Sequence, residues 1–532
     1  MRWRVFYNWL NEHLFFIICA LFVLSVPFSE AFISITTGLI ALQIIYPNHL
    51  KMFFRKGISD ASLWALMGVY ILMLGAVFFT TNMDDALYEL KKNLAWVLVS
   101  PGMVLCSRLT EKKYWLVILL FAFAVTVGTF ISTVKVLLYD KYVLDNIREA
   151  TYISNIVYSL QVVFAIFAVL YARLKNAYIF KHLPWAFVIV WAMWMFAFLA
   201  IQKSLTGFVS FFVTAIVFLF WLIKQTKKPM LKRLGFAFMV LVVVAPVTYV
   251  GTVVHRYCYV KDVLPEQPVY TPNGNLYQFD TDNKLKENGH YVYWYECPEE
   301  IEKEWNAVSE KDVYAKNSDG YPIYSTLVRY LASKGLTKDS AGIAALTPRD
   351  VINIENGLSN YIFYEKRFSL YPRMYETVWE LDMYFNSANP NNQSFSQRIE
   401  FGKAAWYIIK HNFWGVGAGN AADYYPEAYV ALASNLDEKF QYMAHNQYLT
   451  YMVRYGIPGF AAIVFLLIFA IIRRKAHHNF LLILFLTIIA VSCLGENTLE
   501  DHSGLPFFLF FLSLMMWHSP KSEVRLEQNQ YF

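Results

Sequence analysis

The chain is 532 residues long, 57% hydrophobic and only 16% charged, against roughly 45–50% apolar and about 25% charged in soluble globular domains. That balance excludes an ordinary soluble enzyme, and the 18% of aromatic residues, recurring near the ends of long apolar runs, suits rings seated at a membrane interface. The net charge of +6 is unevenly spread: residues 255–445 hold 18 basic and 25 acidic side chains, so this segment is acidic and the remainder strongly basic. The basic residues stand in short clusters between apolar runs, which is the pattern of membrane topology signals and argues against nucleic acid as a partner.

In chain order, apolar stretches of spanning length run over about 13–28, 31–47, 60–80, 92–107, 114–138, 151–173, 183–201, 204–223, 234–254, 446–472, 479–495 and 503–517. They predict an all-α membrane protein with about twelve transmembrane helices. Alternate connections are basic: Arg2 and Arg4; Lys51, Arg55 and Lys56; Arg108, Lys112 and Lys113; Arg173, Lys175 and Lys181; Lys224 to Arg233; Arg473, Arg474 and Lys475; Lys521 and Arg525. The intervening short connections carry only Lys91, Lys92, Lys141, Arg148 and Lys203. By the positive-inside rule both termini are cytoplasmic and the long acidic segment lies outside. Three regions result: 1–254 with nine helices, a partly helical loop domain at 255–445, and 446–532 with three helices and a cytoplasmic tail. The first run resembles a signal peptide but lacks a small-x-small cleavage pattern at its exit, Ser25-Val26-Pro27-Phe28, and reads as a retained span.

The outer segment is too long for a simple connection and carries turn signals such as Thr271-Pro272-Asn273-Gly274, so it should fold at least in part. Its two cysteines, Cys258 and Cys297, could pair in an oxidising compartment, although sequence alone does not give their separation. Near Ser396 begins an amphipathic helix with Ile399, Ala405, Trp406 and Ile409 on one side and Arg398, Lys403 and Lys410 towards the other, suited either to a membrane surface or to packing on the helix bundle. After it, Gly415, Gly417 and Gly419 alternate in a loop whose amides could approach an anion, or which simply ends the helix. His445-Asn446 opens the tenth span at its outer end, Arg454 lies inside that span and should face a polar cavity, and the last outer connection holds Glu496, Glu500, Asp501 and His502.

The pattern His445-Asn446, nine residues, Gly456, two residues, Gly459 resembles the motif of O-antigen ligases and related membrane polymerases. The helix carrying Arg398 and Trp406, the glycine loop, and twelve spans with a large outer loop between the ninth and tenth are also similar to that family. The resemblance implies inverting transfer of a glycan from an undecaprenyl-diphosphate carrier to an acceptor hydroxyl, on the periplasmic face of the bacterial inner membrane, with no cofactor and no metal. On this reading His445 is the general base, as suits a neutral imidazole near pH 7. Glu496 or Glu500 would orient it or contact sugar. Arg398, with Lys203, Asn446, Arg454, Gly417 and Gly419, would bind substrate, since a departing diphosphate needs cations where metal is absent. The family pattern has an arginine at the outer start of the eighth span, whereas this chain has Lys203, which brings charge without the planar fork. Lipid A–core is the first acceptor implied. A polymerase extending lipid-linked repeats, a protein O-oligosaccharyltransferase, and a polysaccharide exporter are the alternatives.

Overall fold

The structure, a computed structural model, describes residues 2–45, 57–106, 108–138, 150–318, 320–387 and 389–520, with side chains from residue 13. The charges read at Arg2, Arg4, Lys51, Arg55, Lys56, Lys141, Arg148, Lys521 and Arg525 lie outside the residues whose side chains are described. The described residues divide into two units. One runs through most of the chain to Met239 and resumes at Gln397; the other is Val240–Ser396.

Each of the twelve apolar runs is helical over most of its described length. Seven helices are long and apolar enough to cross a membrane: Ala61–Phe79, Glu111–Leu138, Asn155–Leu174, Trp185–Gln202, Leu205–Gln225, Pro229–Cys258 and Gln447–Arg473. His13–Ser25, Glu30–Ile45, Phe480–Ser492 and Gly504–Trp517 are shorter apolar helices. The chain is thus a multi-pass membrane protein. Helix starts are fixed where an apolar run meets a polar residue able to accept from the first free N–H groups: Asp60, Ser204, Asn446 and Asn479 all cap in this way.

Packing in the first unit centres on Asn155–Leu174, which lies against Glu111–Leu138, Trp185–Gln202, Leu205–Gln225 and Phe480–Ser492. Gly504–Trp517 is buried along its whole length. Its phenylalanines meet Phe22 at 4.3 Å, Phe121 at 4.8 Å, Phe164 at 4.9 Å and Phe485 at 5.4 Å between ring centroids, each pair adding about 0.5–1.5 kcal/mol to the burial itself. Pro229–Cys258 is also long and apolar enough to cross a membrane, but it leaves Val240, Leu241, Val244 and Val247 exposed. The amphipathic helix read near Ser396 is Ser394–His411. Phe401, Ala404, Ala405, Ile408 and Ile409 bury themselves against Val416, Tyr425, Tyr429 and Val453, so this helix packs inside the protein. Trp406, placed on the apolar side by the sequence, is about half exposed instead.

The second unit is built from short helices around a core of Val292, Ile301, Trp305, Ile323, Leu327 and Leu331, with two small antiparallel ribbons. In one ribbon Lys286–Glu287 pairs with His290–Tyr291 through Asn288 and Gly289, both at positive φ. Glu287 is fully buried and accepts from Arg329 at 3.0 and 2.7 Å, from Asn360 at 2.8 Å and from the Tyr375 hydroxyl at 3.0 Å, which offsets the cost of burying a carboxylate. The pairing of Cys258 with Cys297 is not formed. Both are free thiols, Cys258 exposed at the end of its helix and Cys297 buried at the start of Pro298–Val308.

Candidate functional site

His445 stands just ahead of the helix Gln447–Arg473, and the backbone on both sides of it is fixed. The Ala444 N–H donates to the Tyr425 hydroxyl at 3.0 Å. The Asn446 carbonyl oxygen accepts from Leu449 N–H at 3.1 Å as a helix cap, while its amide donates to Leu494 O at 2.9 Å. Asn446 therefore uses both ends of its side chain to hold the connection, whereas its sequence reading had it contacting substrate. The connection between Phe480–Ser492 and Gly504–Trp517 is tied to the same point: Gln447 N–H donates to Cys493 O at 3.0 Å, Leu499 N–H to the Gln447 side chain at 2.8 Å, and Asn497 to Ala444 O at 3.0 Å.

These ties bring Glu496 beside His445, with 3.6 Å between its Oε2 and the ring Nδ1. Arg398, from the helix Ser394–His411, donates to the other oxygen of the same carboxylate. The Phe401 ring, one turn further along that helix, lies 5.8 Å from the imidazole. Side chains of His445 and Arg398 are respectively 44% and 40% exposed, so both stay open to a ligand. Of the two carboxylates read as partners for the imidazole, Glu496 takes that place and Glu500 lies elsewhere.

His445 and Glu496 line an open cavity of about 380 Å³, together with Tyr88, Lys92, Met443 and Asn497. Its floor is a buried charge cluster. Arg454, 3% exposed, donates to Glu89 at 2.8 Å and to Glu500 at 2.6 Å, and Lys92 lies 2.9 Å from Glu89 and 3.7 Å from Glu500. The four charges balance, which makes an arginine tolerable inside an apolar span. Arg454 does face a polar cavity as its position suggested. Glu89, and Lys92 as a floor residue, were missed. They lie on Met83–Lys92, a polar helix inserted between two apolar runs, whose acid and base three residues apart were the available signal.

The alternating glycines serve backbone approach. Pro458 has no N–H, Gly456 breaks the helix at φ 73° and ψ 172°, and Ile457 N–H turns to Phe413 O at 3.1 Å. The carbonyls of Val453 and Arg454, so released, accept from Val416 at 2.9 Å and Gly417 at 3.1 Å. Gly419 N–H donates to Thr80 Oγ1 at 3.0 Å. A Cβ would approach within 2.7 Å of Thr80 at Gly417, 2.2 Å of Asn82 O at Gly419, and 2.3 Å of Trp414 at Gly456. With their N–H groups donated inside the chain, Gly417 and Gly419 do not form the anion cradle read from the sequence; they close a tight junction. Lys203 is buried at a left-handed helix end, φ 55°, and is not among the residues lining the cavity. Its neighbour Gln202 donates to Asn155 O at 2.8 Å, beside the lining residue Ser154.

Residues 357–464 match the family model described as O-antigen ligase. Over that segment the chain is similar to O-antigen ligases. The matched segment contains Arg398, the glycine loop, His445, Arg454 and the Gly456 break, whereas Glu89, Lys92, Glu496 and Glu500 of the cavity come from outside it. A search of the curated proteins finds no match to the chain.

Proposed function

We propose that the protein is a membrane glycosyltransferase of the O-antigen ligase type, moving a preassembled glycan from an undecaprenyl-diphosphate carrier to an acceptor hydroxyl, first of all on lipid A–core. The observation that carries this reading is the exposed His445 ring with Glu496 at its Nδ1 and Arg398 on the same carboxylate, at a cavity walled by polar groups. Glu496 at Nδ1 leaves Nε2 to take the proton of an acceptor hydroxyl as its oxygen attacks the anomeric carbon. The bond from that carbon to the diphosphate oxygen breaks on the opposite side, which inverts the centre. Glu496 then stabilises the imidazolium until its proton leaves to water or product. Arg398 at the mouth and Lys92 within supply positive charge for the departing diphosphate without a metal. The cavity faces the periplasm in this reading, with both termini in the cytoplasm and twelve helices crossing the inner membrane; residues 255–445, or most of them, would form the outer domain that selects the acceptor.

The test is the surface polysaccharide profile of a deletion strain complemented with wild type or His445→Ala. Full-length polymer retained on the lipid carrier, with uncapped core, is expected for the variant. Single repeat units on the core would instead make the protein a polymerase, and an unchanged profile would shift the acceptor to protein or another glycan.

A further inference from the structure

A second cavity, of about 430 Å³, lies where four helix ends meet: the start of Ala61–Gly75 and the ends of Ala95–Val104, Gln447–Arg473 and Gly504–Trp517. It is lined by Ser59, Asp60, Ser62, Arg473, Arg474 and Trp517 among others. The apolar helix Ala61–Phe79 starts at this cavity, and its 19 residues at about 1.5 Å each carry it roughly 30 Å to Thr80 beside the glycine loop. That is about the thickness of the hydrocarbon core of a bilayer. The second cavity therefore lies at the end of this helix away from the glycine loop.

Its chemistry is that of an anion site. The Asp60 carboxylate is already occupied: one oxygen accepts from Ser62 and Leu63 N–H at 3.0 and 3.4 Å, the other from Trp517 Nε1 at 3.1 Å, with Arg474 3.6 Å away. Arg474 also stacks over the Trp517 ring at 5.0 Å. Arg473 makes no ion pair among the described residues, and the Ser62 hydroxyl is fully buried with no hydrogen-bond partner among them. Two arginines against one carboxylate leave the lining positive. A buried hydroxyl left without a partner costs about 1–3 kcal/mol unless something fills the site.

We propose that this cavity binds a phosphate group, held by Arg473, Arg474 and Ser62 and carried by an anionic phospholipid of the leaflet opposite the His445 cavity. Phosphate suits paired guanidinium groups and a hydroxyl donor. The site is independent of the transfer reaction.

The test uses the full-length protein in detergent. Native mass spectrometry and thermal unfolding are measured with phosphatidylglycerol, with phosphatidylcholine and with inorganic phosphate. Phosphatidylglycerol should be retained and should raise Tm, and Arg473→Gln should weaken its retention about tenfold, the loss of one charge-assisted contact. Ser62→Ala, which leaves Asp60 and both arginines in place, should weaken it in the same direction, so that a folding defect in one variant does not decide the matter. Equal retention of both lipids, or unaltered phosphatidylglycerol retention in both variants, would overturn the site. Stabilisation by inorganic phosphate without phosphatidylglycerol would overturn the lipid as its source.

Discussion

Arg454 and His445 are nine residues apart, and each meets one of the two glutamates of the connection between Phe480–Ser492 and Gly504–Trp517. Glu496 remains near solvent with His445 and Arg398, where a proton can be exchanged; Glu500 is buried with Arg454, where it cannot act freely. Removing one partner from a buried pair leaves an uncompensated charge, so Arg454→Met, which strands Glu89 and Glu500, should cost about 3–5 kcal/mol in thermal unfolding. Glu89→Gln keeps Glu500 on the arginine and should cost less; an equal or larger loss would mean that Glu89 is the principal partner. His445, Arg398 and Arg454 were legible from sequence because a motif or a charge in an apolar span marked them. Glu89 was not, since its meeting with Arg454 joins residues 365 positions apart, and no local pattern encodes such a contact.

For the elements, hydropathy located the helices well because burial in lipid or in a helix core leaves the same apolar signature. It could not separate the two: Gly504–Trp517 and Pro229–Cys258 read alike, yet the first is wholly buried and the second largely exposed. The glycine loop was found but its purpose was not, because close backbone contact and anion binding ask for the same residue. Gly419→Ala should sharply reduce the yield of folded protein, since a methyl would stand 2.2 Å from Asn82 O. Gly402→Ala, in the helix Ser394–His411 with open space at its Cβ, should be neutral or stabilising by up to about 1 kcal/mol. Size-exclusion profiles of the two variants give the comparison, and equal yields would count against the junction.

On the scale of the whole molecule, the sequence drew the outer domain from the ninth span to His445, whereas residues from Gln397 onward fall in the unit that holds the helices around the cavity. Hydropathy sees only that this stretch is polar on average; its burial against Val416, Tyr425 and Val453 is a tertiary fact. The unit Val240–Ser396 has a pH dependence of its own. Burial would raise the Glu300 carboxyl, but hydrogen bonds from Thr271, Asn275 and Ser340 outweigh it and hold the group at about 2. Because the folded state binds this proton less readily than the unfolded state, the contribution is complete above the ordinary pKa of 4.5 and is lost as pH falls towards 2. Unfolding of the full chain followed by tryptophan fluorescence should weaken across that window, and Glu300→Gln should flatten the slope; an unchanged slope would contradict the assignment.

The most direct measurement is covalent transfer by the purified protein in liposomes, with a lipid-diphosphate-linked glycan as donor and lipid A–core as acceptor, for wild type and His445→Ala. Wild type should form the new glycosidic bond, and the variant should lose about 10²–10⁴ in rate while remaining folded. Transfer by His445→Ala at the wild-type rate, or passage of the donor across the bilayer with its linkage intact, would contradict a histidine-dependent glycosyltransferase.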